Sequence, residues 1–519
     1  MLFKKTLLML SIFTVTTQLW ANLELNNIYE TSEEEPQVWI SEFKYNGNTV
    51  FTDAQINEFI FDDYPANFSL KKLKSIAAKI EEKYKEAGYE IAKVIIPQQD
   101  FLANQPVELL ILEGKLGQVK VVGNVNYQSK FITQSLSASE VVSGKAFRLD
   151  HLENTLMKIN RHAGVTVKSV LSAGDELGYT DIQIHVEEEP RVTTVLEVNN
   201  YGSESTGEYR FIPQVDVTNL TGRGDKLSFV AMHTLDGEGS YYAHIAYNTP
   251  IGVIGSKVGT YVTVGNVKVG EQLAPLDIQG NNQAFGLGFQ HDFIIDPTKF
   301  YQAEMWLEGY DIDQTILGEQ ISEDKIRKLR VGINHEVQKN TSRSIYATHV
   351  HQGLGRLLGG GSVGNVIQNP NSFTKFTFDY TRLQRLSDRT TLIPRLSAQL
   401  AFDSLVSGEQ FSLGGYNSVI GHAPSAYSGD SGYNLNLETR YLLSDTSTKY
   451  QFATRLDFGQ IFRKDPAVGQ SSSDQLVGAS VGILANLNKY IDLRLDYGRP
   501  LDDVTGKDDY IFFQTRFTF

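Results

Sequence analysis

The chain contains no cysteine among its 519 residues. That absence excludes disulfides, thiolate metal sites, a cysteine nucleophile and a lipid-modified N-terminal cysteine. Positive charge is in deficit as well. A formal net charge of −14 argues against a nucleic-acid partner. Past the N-terminal segment no apolar run approaches the ~18 residues that a membrane-spanning helix needs, so any membrane embedding has to be by a closed barrel. Proline is scarce, 14 residues against 44 glycines, 25 tyrosines and 28 phenylalanines. This balance suits a barrel with aromatic girdles, although a large soluble β-protein shares it.

What is present begins with an export address. In residues 1–21, Lys4 and Lys5 precede an apolar stretch that ends near Ala21, the layout of a secretory signal peptide. The segment is short for a spanning helix, and no positive stop follows it. The mature chain is expected to begin near Asn22. Residues 22–37, with their SEEEP run, read as a short acidic segment that is solvated rather than a binding motif.

The next part of the chain is duplicated, with a period of roughly 76 residues. FKYNGN, ending at Asn48, matches VKVVGN, ending at Asn124. Leu73, Ile76 and Ile80 recur as Leu149, Leu152 and Leu156, and Ala87-Gly88 recurs as Ala163-Gly164. The units close at Glu113-Gly114 and Glu189-Pro190, which sets modules of 38–114 and 115–190. Each reads as strand, short helix, longer helix and two strands. The longer helices have apolar residues at i, i+3 and i+7, Ser69 and Asp150 near their starts, and Gly88 and Gly164 where a left-handed cap would fall.

From residue 191 to Phe519 the pattern becomes strands of alternating polarity separated by Gly, Asn, Asp and Ser clusters. In IDLRLDY, Ile491, Leu493, Leu495 and Tyr497 share one face while Asp492, Arg494 and Asp496 share the other. YRFIPQVDV and LNLETRY split in the same way, with Glu438 and Arg440 inward. Charges of both signs on the inner face argue for a wet lumen over a dry sandwich core, where unpaired charge costs several kcal/mol. About 20 residues per strand and connection gives around 16 strands. The last strand, IFFQTRFTF, places Ile511, Phe513, Phe517 and Phe519 on one face.

These features resemble a known family. The modules resemble polypeptide-transport-associated (POTRA) domains, and two in tandem before a barrel resemble the outer-membrane transporters of two-partner secretion, the TpsB or haemolysin-activation type, over residues 38–519. The resemblance implies a 16-stranded antiparallel transmembrane β-barrel behind two small α+β POTRA domains. It also implies a place in the bacterial outer membrane with the modules in the periplasm. NNYGSESTGEYR, NLTGRGDKL and Tyr247-Asn-Thr-Pro-Ile-Gly252 look like the family's first strands and periplasmic turns, and Phe517 and Phe519 resemble its C-terminal signal to the barrel-assembly machinery. The segment 402–443 resembles the family's long sixth extracellular loop, which folds into the lumen. Gly414, Gly415 and Gly421 would permit close backbone approach there. RLDFGQIF resembles an inner-wall strand, and Asp457 stands where the family has the acidic partner of a Val-Arg-Gly-aromatic tip.

Here the tip reads Val419-Ile420-Gly421-His422, with Ile420 in place of the arginine and His422 in place of the aromatic. Two substitutes for the missing guanidinium remain open: His422, charged in acid, or Arg455, two residues from Asp457 on the same strand face. Many relatives also carry a pore-plugging helix. The short 22–37 segment reaches at most ~55 Å even when extended, too little for such a helix plus a linker.

No catalytic, cofactor or metal constellation stands out. His349-x-His351 could place two imidazoles on one strand face, but a loop or girdle position is the plainer reading. GSVG and SLGG read as turns, because no Lys-Ser/Thr and helix start follow. The function implied is therefore secretion, not catalysis: the modules capture an unfolded exoprotein, an adhesin, haemolysin or toxin, and the barrel passes it out. The alternative is a barrel-assembly factor of the same superfamily, for which more than two modules would be expected. The partners implied are that exoprotein, outer-membrane lipid and the assembly machinery.

Overall fold

The computed structural model describes residues 37–102, 105–252, 255–364, 371–446, 448–502 and 509–519. The readings of an export segment and of an acidic tail fall outside these, apart from Gln37. The described chain divides into two compact units, and residues 37–84 with 92–111 make the first.

In this first unit β2 (Phe43–Asn46), β5 (Val107–Leu112) and β4 (Lys93–Ile95) form a three-stranded sheet in the order β2-β5-β4, while β1 (Val38–Ile40) pairs with β3 (Ala66–Phe68). Helix α1 (Asp53–Phe59) starts at a capping box in which Thr52 and Gln55 satisfy each other's backbone N–H. Helix α2 (Leu70–Glu86) turns Leu73, Ile76, Ala77, Ile80 and Tyr84 to the core, the face its apolar spacing predicts. Fully burying each Leu or Ile contributes roughly 1.5–3 kcal/mol.

The second module repeats the order: β6 (Lys115–Val122), α3 (Ser129–Ala138), α4 (Leu149–Ile159), β7 (Val165–Ala173) and β8 (Tyr179–Glu188), with the sheet ordered β6-β8-β7. Leu152, Leu156 and Ile159 of α4 pack on Phe131, Ile132 and Leu136 of α3 and on Ile182, Ile184 and Val186 of β8. One expectation shifts here. Gly164 is left-handed (φ +71°), but α4 has already ended at Asn160, whose side chain takes over the local hydrogen bonding by exchanging two bonds with the Val167 backbone. The glycine serves the entry into β7 instead.

Sixteen long antiparallel strands then close a barrel, from Val192–Asn199 to Tyr510–Thr518, with a three-residue strand Gly361–Val363 added beside them. The last strand pairs with the first from Gln514↔Asn199 to Thr518↔Val195, and Thr194 and Phe519 exchange both backbone hydrogen bonds at the seam. The alternation is realised as side chains. Leu435, Leu437, Tyr441, Leu495 and Tyr497 stay exposed on the outer face, while Glu438 and Asp496 are buried inside.

The second module meets the barrel through NLTGRGDKL. Asn219, Gly222 and Gly224 take positive φ, and Asp225 ties the turn by accepting from Thr221 N–H (2.9 Å), the Thr221 hydroxyl (2.8 Å) and the Tyr247 hydroxyl (2.9 Å). The turn's carbonyls face the module: Gln128 N–H donates to Gly222 O (2.8 Å) and Ala163 N–H to Gly224 O (3.2 Å). Arg161 lies over the Phe300 ring at 3.7 Å.

Candidate functional site: a loop latched inside the barrel

The connection 402–430, between the strands Thr390–Ala401 and Ser431–Asp445, folds back onto the inner wall and is held at several levels. Nearest its start is a short 3-10 turn, Ser407–Glu409. Glu409 is 3% exposed and sits between two lysines of different wall strands, Lys328 at 2.6 Å and Lys375 at 2.7 Å. Lys375 and Gln399 also donate to its backbone carbonyl, at 2.7 and 2.9 Å. Such burial is tolerable because the carboxylate is multiply paired; without it Lys375 would be a buried unpaired charge and Lys328 would keep only Glu308, at 3.9 Å. Asp430 closes the loop's far end by accepting from the backbone N–H groups of Leu405 (2.7 Å) and Lys464 (2.8 Å).

The tip is the deepest part. Two short strands, Phe411–Leu413 and Tyr427–Gly429, bring its arms together, and Gly414 (φ +102°) and Gly415 (φ +89°) turn the chain between them. Val419 is fully buried with Leu413, Ile461 and Leu476. Ile420, also fully buried, packs with Tyr201 and Phe512, and Tyr416 stacks on Tyr201 at 3.8 Å. The wall is glycine where the tip crosses it: a Cβ on Gly478 would lie 1.8 Å from Ile420 O, and Gly421, itself left-handed, passes against the Arg499 backbone.

Asp457 is paired with Arg455 at 2.7 Å, and its second oxygen accepts Ile420 N–H at 2.9 Å. Arg455 continues into the loop, donating to the carbonyls of Tyr416 and Ser418, each at 2.7 Å. The wall thus supplies the guanidinium that the tip lacks. His422 is not in this contact. Its Nε2–H donates to Val477 O (2.9 Å), with Asp502 3.7 Å away.

Around the loop the lumen is a charge network. Glu438 receives Arg395, Arg440 and Arg494, and Arg494 also binds Asp496 at 2.6 Å. Glu304 binds Arg330 and His349, and His351 meets Thr377. Both rings of the His-x-His pair therefore face the lumen, not a loop or girdle, because i and i+2 on this strand fall on its charged side. Sequence reasoning missed the Glu409 clamp and the wall glycines. The usable signal was a glycine in each of the three alternating strands before the last, at Gly459, Gly478 and Gly498.

A closed antiparallel barrel with an aromatic outer face, a charged lumen and an inward-folded loop, preceded by repeated α+β modules, defines an outer-membrane protein of the POTRA-barrel class. A family model described as haemolysin secretion/activation protein ShlB/FhaC/HecB matches residues 178–485, and one for the ShlB-type POTRA domain matches residues 38–114. The chain belongs to this haemolysin secretion/activation family. It is 24% identical to the heme/hemopexin transporter protein HuxB of Haemophilus influenzae over 94% of this chain and 88% of that one. To the outer membrane transporter CdiB of Escherichia coli O6:K15:H31 it is 23% identical, over 90% and 80%. A solved structure of CdiB from Escherichia coli has the same fold, with a TM-score of 0.77 at 19% identity, covering 96% of this chain and 93% of that one. The protein is thus an outer-membrane transporter of two-partner secretion, with POTRA domains in the periplasm and a secreted partner protein. This fits better than barrel assembly.

Proposed function

We propose that the secreted partner enters as an extended, unfolded segment that adds a strand to the periplasmic modules, and then passes through the lumen as the latched loop gives way. The observation that carries this is the open sheet edges of the modules. Among the described residues β2 and β4 in the first module and β6 and β7 in the second each have a strand neighbour on one side only, and such edges bind extended chain through main-chain hydrogen bonds with little regard to sequence. On this reading residues 1–21 are the export signal, 22–37 an acidic lead, 38–114 and 115–190 the capturing modules and 191–519 the pore. Val419, Ile420, Gly421 and His422 form the loop tip, Asp457 its wall partner, and Phe517 and Phe519 the signal read by the assembly machinery. The partner is an adhesin, haemolysin or toxin, and the exposed aromatic and aliphatic band faces outer-membrane lipid.

The test uses the full chain in cells that produce the partner. Prolines placed along the edge strands β2, β4, β6 and β7 remove edge donors. Secretion should fall while the barrel still assembles, and unchanged secretion with every edge strand so altered would overturn strand addition.

A further inference from the structure

Glu81 stands on α2 beside β4, and its half-buried carboxylate is bonded to that strand. One oxygen accepts Val94 N–H at 2.9 Å and the other accepts from Lys93 Nζ at 3.2 Å. Val94 is the middle residue of β4, and its side chain is buried in the core. In an extended strand one residue's N–H and C=O point to the same side. Val94 therefore offers its main-chain pair on the side away from β5, the side where a new strand would add.

Between α2 and the stretch 94–101 runs a groove of about 620 Å³ whose floor is mainly apolar (Leu70, Ala77, Val94 and Phe101), with Lys74 and Glu81 also on its lining. Leu70 is half exposed. Proteins guard open edges with charge, usually by projecting it past the edge toward solvent. Here the carboxylate is instead folded onto the one outward donor of β4, in the position that the carbonyl of an added strand would take.

We infer that Glu81 is a place-holder in the capture site, a positioning residue that an arriving segment of the secreted partner must displace. This rests on the strand-addition reading given above. Displacement hands Val94 N–H from the carboxylate to a carbonyl of the partner and leaves Glu81 on the outer flank of the new strand. There it meets that strand's second edge, where it accepts a backbone N–H or the head group of a lysine or arginine. The groove's apolar lining takes side chains from the other face. The segment that fits is extended, apolar on alternate residues and basic or neutral between them. An acidic segment is disfavoured, because it would set carboxylate against carboxylate.

The experiment uses the full chain in detergent and short labelled peptides alternating valine with threonine, lysine or glutamate. In the native chain the lysine peptide should bind more tightly than the glutamate peptide. Glu81→Ala should tighten the threonine peptide about tenfold, the order of one charge-assisted hydrogen bond, and should erase the lysine-over-glutamate preference. Glu81→Gln keeps an acceptor oxygen, so it should hold the native affinity for the threonine peptide while losing the preference. Val94→Pro removes the outward donor without touching the bonds to β5, and should abolish binding. If Glu81→Ala changes neither affinity nor preference while Val94→Pro abolishes binding, the place-holder is wrong and strand addition stands. If Val94→Pro binds as the native chain does, strand addition at this edge fails, and the place-holder with it.

Discussion

Arg455 and Asp457 lie two residues apart on one barrel strand, meet at 2.7 Å, and together hydrogen-bond the loop tip through its backbone. Arg455 takes two loop carbonyls and Asp457 takes Ile420 N–H. The tip side chain at 420 is then free to be apolar. Arg455→Met should release the tip, since removing one partner of a buried pair typically costs about 3–5 kcal/mol. The check is cysteine labelling at position 418 in this cysteine-free chain, which should rise in the variant. Adding Ile420→Arg should restore protection by returning a guanidinium to Asp457. Equal labelling in native and Arg455→Met chains would show that the tip is held by packing alone.

Glu409 is the second latch. Glu409→Gln leaves Lys328 and Lys375 buried without their shared carboxylate, so the loop's entry turn should detach while the tip stays in place. Single-channel recordings should show more frequent or larger openings than the native chain. Lys328→Met combined with Lys375→Met and Glu409→Gln should return the channel toward native behaviour, because no unpaired charge then remains.

A wall glycine offers an independent check on loop position. Alanine is ordinarily harmless in a barrel strand, but at Gly478 its Cβ would fall 1.8 Å from Ile420 O. Gly478→Ala should raise labelling at position 418 as Arg455→Met does. Gly280→Ala, in the barrel strand Gln279–Asp296 where an added Cβ meets nothing within 4 Å, should leave the loop protected.

The join between the second module and the barrel should be acid-sensitive. Burial, reinforced by Lys257 and opposed by Asp292, pushes His162 down from 6.5 to about 4. The Tyr127 hydroxyl lies 2.8 Å from its Nδ1, and its ring packs near Phe131 and Gly224. The folded state holds a neutral ring while the unfolded chain protonates near 6.5. Stability is therefore full above that pH and declines as pH falls toward about 4, by no more than about 3 kcal/mol. Hydrogen exchange at the Gln128 and Ala163 amides, corrected for intrinsic rate, should speed up over this range, and His162→Phe should flatten the dependence.

Strand alternation, the charged lumen and the modular repeat were legible because each rests on a periodic pattern that a single sequence displays. Leu73, Ile76 and Ile80, and their counterparts Leu152 and Leu156, could be placed in cores from spacing alone. The loop could be located from its glycines and its likeness to a family segment. Its latches could not. Glu409 meets Lys328 and Lys375 from strands far away in sequence, and nothing in SGEQF marks the glutamate as buried. Arg455 was visible as a same-face neighbour of Asp457, but its reach to the carbonyls of Tyr416 and Ser418 depends on how deep the loop enters. The inward turn of His349 and His351 followed from strand register, which a two-residue motif does not fix.

Passage of the partner through the lumen is tested most directly by trapping it there. Ser228 and Ser397 bond to Asp216 and Asp379 on the inner face, so a single cysteine at either site faces the lumen in an otherwise cysteine-free chain. A partner carrying one cysteine and a domain that folds before export stalls in transit. Oxidation should then give a covalent adduct with either luminal cysteine, and none with a cysteine at lipid-facing Leu437. Adducts confined to cysteines in the periplasmic modules, with none at Ser228 or Ser397, would contradict secretion through the barrel.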